Sequence, residues 1–109
     1  MAVTVDVTPD SPTATEDFCK FDIAGLTLND PTTYDATPTP PDLSMDEVRY
    51  YLTFELASEE KGRSPVFACN ADGEWQFNNY VFPEAGEWTV HVRLAADDSS
   101  AGNQAVTVA

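Results

Sequence analysis

The 109 residues carry nineteen acidic side chains against five basic ones, a formal charge of -14, and 42% of them are hydrophobic, twelve being aromatic. That charge repels nucleic-acid phosphates and anionic lipid, so neither nucleic acid nor a membrane is expected as a partner, and there is no run of about 18 apolar residues to form a transmembrane helix. Length and apolar content together suit one domain with a single modest core.

The opening MAVTVDVTPDSP lacks the basic and apolar regions of a signal peptide, so the chain is expected to be made in a cytosol. Within it AVTVDV alternates, placing Val3, Val5 and Val7 on one face of a first strand that Pro9 and Pro12 end. In DFCKFDIAGL the same period sets Cys19, Phe21 and Ile23 inward, with Lys20 and Asp22 outward and Gly25 as the stop. Cys19 then reads as a small core residue. Cys19 and Cys69 have no zinc-type spacing and no histidine close by in sequence, so no metal or other cofactor is expected; two buried thiols are favoured over a bridge between them.

Residues 29–45 hold four of the eight prolines and read as a long Pro-rich surface loop. Ser44 and Glu47 have capping-box spacing, good for at most one helical turn. VRYYLTFEL alternates again, with Val48, Tyr50, Leu52, Phe54 and Leu56 on the core side. SEEKGRSP is expected to be a polar turn. Two short apolar pieces follow, Val66 to Cys69 and Glu74 to Phe82, joined by a hairpin-like turn signal at Asn70 to Gly73. From Gly86 to Leu94 the inward set is Trp88, Val90, Val92 and Leu94; after the loop AADDSSAGN, QAVTV supplies a last strand. About seven short strands without a convincing helix make an all-β antiparallel sandwich.

Residues 80–108, YVFPEAGEWTVHVRLAADDSSAGNQAVTV, resemble the C-terminal half of immunoglobulin-like modules, especially the PKD and fibronectin type III kinds. Those families run aromatic-x-aromatic, a Pro-Gly corner, an aromatic residue, alternating apolar positions, an acidic turn and a final V-x-V strand. The resemblance implies an Ig-like β-sandwich. At the corner Pro83 ends one strand and Gly86 accepts a tight conformation, while Trp88 anchors the next strand in the opposite sheet. Trp88 stands where many such domains place a corner-tying tyrosine. The antibody-type disulfide is not carried over, because Cys69 lies well before WTVHVRL, and the N-terminal half lacks the tryptophan and Gly-Asp-Gly pattern of PKD modules. With its acidic surface the chain also looks like the Ig-like structural proteins of tailed phages, notably capsid decoration and tail-associated proteins.

In an Ig-like pairing VRYYLTFEL and WTVHVRL are neighbours, and their outward faces bring Arg49, Tyr51, Thr53, Thr89, His91 and Arg93 together. Arg and Tyr are enriched where proteins bind proteins, so this is the first candidate contact face, beside an ordinary exposed sheet face as the plainer reading. His91 has no Cys or Ser placed to join it in catalysis. Asp97 and Asp98, with Asp6 or Asp10, are a weak calcium option, but solvated turn residues are favoured. The segment Tyr34 to Leu43 and the arm Met1 to Pro12 are further contact elements. The expectation is a non-enzymatic phage virion protein, made in the host cytoplasm and bound to a major capsid or tail protein and to neighbouring copies of itself. The alternative is an extracellular Ig-like module for adhesion or carbohydrate binding; a small enzyme or metal-dependent regulator ranks third.

Overall fold

The computed structural model describes residues 3–27 and 48–109. The Pro-rich stretch 29–45, the Ser44 and Glu47 pair and the segment Tyr34 to Leu43 lie outside them. Seven strands form, β1 (Thr4–Thr8), β2 (Cys19–Ala24), β3 (Tyr50–Leu56), β4 (Glu59–Arg63), β5 (Trp75–Tyr80), β6 (Gly86–Leu94) and β7 (Ser100–Val108), with no helix among the described residues. They make two antiparallel sheets, one of three strands in the order β1-β2-β5 and one of four in the order β4-β3-β6-β7.

The alternation read in β1, β2 and β6 is the alternation observed. Val5 and Val7 of β1, Cys19, Phe21 and Ile23 of β2, and Trp88, Val90 and Val92 of β6 are buried. They enter one core together with Leu52 and Phe54 of β3 and Val106 and Val108 of β7. Aromatic contacts span the space between the sheets. The Phe21 and Phe54 ring centroids are 5.3 Å apart, Tyr80 stacks on Phe54 at 3.9 Å, and Trp75 stacks on Phe67 at 3.6 Å. Cys19 and Cys69 are both buried and unbridged. Burial, reinforced by the nearby Asp17 carboxylate, pushes the Cys19 thiol above its ordinary pKa.

SEEKGRSP departs from expectation, because only Ala57 and Ser58 turn. Both take positive φ, 53° and 66°, the left-handed pair that matches strand twist in a two-residue hairpin. Glu59–Arg63 then pairs with β3 as an edge strand. Hydrophobic periodicity misses such a strand because it has no buried face to pattern, and charges on an edge oppose pairing with another chain.

Val66 to Cys69 forms no strand. Only Phe67 pairs there, exchanging two 2.8 Å backbone hydrogen bonds with Tyr50. The Asn70 to Gly73 turn does close, with the Asn70 side-chain oxygen accepting from the Asp72 and Glu74 amides at 3.0 and 2.9 Å. Its flanks belong to different sheets, so it is a crossing instead of a hairpin. At the other end of the chain, β7 begins at Ser100, earlier than QAVTV, because the small residues Ser100 to Gly102 pair through their backbone without an apolar signal.

The corner at 83–88 carries the chain from β5 in one sheet to β6 in the other. Gly86 has φ 146°, and a Cβ there would come within 2.7 Å of Leu56 Cδ1. Phe82 is fully buried and meets Trp88 edge-on at 5.0 Å. The Trp88 indole N–H donates to the Glu84 carbonyl at 3.0 Å and so ties the corner itself. Near the far end of β7, Ala109 N–H donates to the Pro12 carbonyl at 2.9 Å and the Ala109 carbonyl accepts from Ala14 N–H at 2.8 Å, so residues 12–14 lie parallel to it.

Gly86→Ala is expected to cost about 1–3 kcal/mol, from a left-handed backbone plus the clash with Leu56, lowering Tm by roughly 5–20 °C. Gly62→Ala, whose Cβ would meet the Tyr80 hydroxyl at an ordinary 3.5 Å, is expected to leave Tm within a few degrees. Thermal unfolding of the two variants by circular dichroism checks the pair.

Candidate functional site

Strands β3 and β6 are neighbours, with Tyr51 across from Arg93, Thr53 from His91 and Glu55 from Thr89. Strand alternation thus puts Tyr51, Thr53, Thr89, His91 and Arg93 on the outer face of the four-stranded sheet. Arg49 is exposed at the alternate position before Tyr51, and its carbonyl accepts from Ala95 N–H at 2.9 Å. The face is less open than the alternation suggests, since Tyr51 is only 5% exposed and Thr53 fully covered. Long side chains from adjacent strands lie over them. The Arg63 guanidinium sits 5.0 Å above the Tyr51 ring, and Arg93 spreads over Thr53.

Arg93 is the centre of this arrangement. Its Nε donates to Thr53 Oγ1 at 3.1 Å, Nη1 to the Asp98 carbonyl at 3.0 Å and Nη2 to Glu55 Oε2 at 2.8 Å. Thr53 in turn donates its hydroxyl to Glu55 Oε2 at 3.0 Å. The Tyr51 hydroxyl donates to the Asp98 carboxylate, while Arg63 is held by both Glu60 oxygens at 2.9 Å. One polar network therefore links β4, β3, β6 and the β6–β7 turn. Glu55, Glu60 and Arg63 were missed as site residues, and Asp98 was read only as a weak calcium option and not as part of this face, because Glu60, Arg63 and Asp98 lie in the supposed turns and Glu55 counted only as an outward position.

Three titrations follow from the geometry. Burial works to raise the Glu55 carboxyl, but the hydrogen bonds from Arg93 and Thr53 and the charges of His91 and Arg93 outweigh it, so its pKa falls below the ordinary 4.5. Tyr51 moves up, first because its hydroxyl donates to the Asp98 carboxylate and then through burial. Asp97 moves down, because the Ser99 hydroxyl and amide both donate to its carboxylate. Asp97 and Asp98 thus have protein donors, and among the described residues no group of three or more His, Cys, Asp and Glu converges as a metal site would require.

The expectation that no serine joins His91 needs correction. Ser100, now part of β7, places Oγ 2.9 Å from His91 Nδ1, and Glu55 Oε1 lies 3.8 Å from Nε2. The order serine, imidazole, carboxylate has the chemistry of an activated nucleophile. Its geometry does not complete one. The Glu55 contact exceeds hydrogen-bond range, that carboxylate is engaged by Arg93 and Thr53, and Ser100 Oγ also lies 3.2 Å from the Gly102 carbonyl. A hollow of about 380 Å³ on this face is bordered by Tyr51, Glu55, Ser58, Arg63, Arg93 and Asp98 and not by Ser100 or His91. The face presents a pre-set array of donors and acceptors. Comparison with family models, with curated proteins and with solved structures finds no match for the chain.

Glu55→Gln is expected to remove about 1–3 kcal/mol at neutral pH, the scale of a hydrogen bond to a charged group. Because the folded pKa of Glu55 lies below its unfolded value, its contribution is present above the ordinary 4.5 and is lost as pH falls through the lower folded value. The stability gap between wild type and variant is therefore expected to shrink below the ordinary glutamate range. Urea denaturation across that acid range measures it.

Proposed function

We propose that the chain is a non-enzymatic Ig-like β-sandwich that works by binding, seated on the virion of a tailed phage through a major capsid or tail protein. The strand order β1-β2-β5 against β4-β3-β6-β7 and the sheet change at Pro83 to Trp88 support the Ig-like reading, in keeping with the resemblance of residues 80–108. One observation carries the binding reading. All three arginines of a chain with net charge -14 are placed on or beside a single sheet face, where Arg63 and Arg93 are held in fixed positions by carboxylates of that face.

Such a face loses little side-chain freedom on docking. Its near balance of positive and negative groups also makes it the part of an otherwise acidic molecule that another protein can approach with least repulsion. The virion placement rests on the resemblance to phage structural proteins and on the acidic exterior, which favours solubility at high density. Copies repeated on a lattice gain through avidity what one face of this size lacks in affinity.

Cryo-EM of phage particles made with and without the gene tests the placement. The expected result is density of this shape at a repeated capsid or tail position, lost in the deletion; identical maps overturn the virion reading in favour of an extracellular module. Reversing the exposed arginines, Arg49→Glu with Arg63→Glu, is expected to reduce attachment to gene-deleted particles at least about tenfold. Unchanged attachment would remove this face from the interface.

A further inference from the structure

The outer face of the three-stranded sheet has a different chemistry. Alternation along the approach to β2 puts Phe18, Lys20 and Asp22 on this face, opposite the buried Cys19, Phe21 and Ile23. Phe18 is 69% exposed, on a sheet face whose other outward positions in β1 and β2 include Thr4, Asp6, Thr8 and Ala24. The same face carries a row of polar groups. Asn78 Nδ2 donates to Gln76 Oε1 at 3.2 Å, Gln76 Nε2 donates to Asp22 Oδ1 at 2.7 Å, and Lys20 Nζ lies 3.4 Å from Asp22 Oδ2. Asp22 and Gln76 of the row also border a hollow of about 490 Å³, together with Asp6, Asn70, Glu74 and the aromatic Trp75.

A protein hot spot is built differently, from several large apolar anchors ringed by near-neutral contacts. Here one strongly exposed aromatic ring, Phe18, shares the face with amides and carboxylates, and the half-buried Trp75 borders the hollow. A pyranose ring has the complementary character. One of its faces is a patch of C–H bonds that lies on the electron-rich face of an aromatic ring, and its rim is hydroxyls that pair with planar amides and carboxylates. From Phe18 to Asp22 the extended chain covers roughly 13 Å, which suits a short oligosaccharide better than a single sugar. The charge of -14 repels uronates and sulfated sugars, which leaves neutral ones.

We propose that this face binds a neutral oligosaccharide, with Phe18 as the stacking platform and Asp22, Gln76 and Asn78 as the hydroxyl-binding row. The site lies on the opposite sheet from the arginine-bearing face, so it goes beyond the attachment proposed above and holds whichever protein that face takes. One exposed platform gives weak binding per copy, and repeated copies multiply it.

The test is a proton–nitrogen NMR titration of the full chain with neutral hexasaccharides of glucose (β- and α-linked), mannose, xylose and N-acetylglucosamine at millimolar concentration. At least one sugar is expected to give saturable shifts centred on Phe18, Lys20, Asp22, Gln76 and Asn78. Phe18→Ala, a change at an exposed position, is expected to raise Kd at least about tenfold, while Phe18→Trp keeps it within a few-fold. The proposal fails if no member of the panel shifts these resonances, if the shifts persist unchanged in Phe18→Ala, or if an oligogalacturonate binds more tightly than every neutral sugar. A complex between this face and a virion protein, abolished by Phe18→Ala and unaffected by sugars, would likewise overturn it.

Discussion

Everything in this molecule hangs on the aromatic packing around Phe54. That ring is fully buried and meets Phe21, Phe77, Tyr80 and Phe82 at centroid distances of 3.9–6.3 Å. It stands in the four-stranded sheet, while Phe21, Phe77 and Tyr80 stand in the three-stranded one, so the contact holds the two layers together. A chain of this length has few residues with which to bury apolar area, and aromatic side chains contribute the most area per position ordered. The branched residues of β1, β6 and β7 then fill the space on either side of that centre. The corner at Gly86 depends on the same packing, because Phe82 and Trp88 on its two sides are both part of the core.

With the interior so supplied, the two outer faces are free to differ. On the four-stranded sheet the polar groups turn toward one another, and Arg93 alone bonds to Thr53, Glu55 and the Asp98 carbonyl. On the three-stranded sheet they stand in an exposed row, on the face that also carries Phe18. The first face is rigid and nearly balanced in charge; the second keeps donors and acceptors open to solvent. A thin two-layer molecule with two such faces can contact one thing on each side.

The strands with one buried face were legible in the sequence, because alternation of Val5 and Val7, of Cys19, Phe21 and Ile23, and of Trp88, Val90 and Val92 records that burial directly. Strand β4 was not, since Glu59 to Arg63 has no buried face to leave a period, and its pairing follows from the tight turn at Ala57 and Ser58. The early start of β7 was hidden for a related reason, as Ser100 and Gly102 pair by backbone alone. The candidate face was legible as a list of outward positions and no further. Which side chains cover Tyr51 and Thr53, and that Ser100 reaches His91, depends on strand register and on the edge strand that composition concealed.

The hydrogen bonds that join Ala109 to Pro12 and Ala14 give the molecule a mechanical character. Segments bonded side by side and running the same way resist separation in shear, with both bonds loaded at once, whereas an opened hairpin yields one bond at a time. Tension that drags residues 12–14 along the strand axis relative to β7 therefore meets this clasp before it reaches the sheets. The β6–β7 hairpin lies behind the clasp and is spared that load until the clasp gives way.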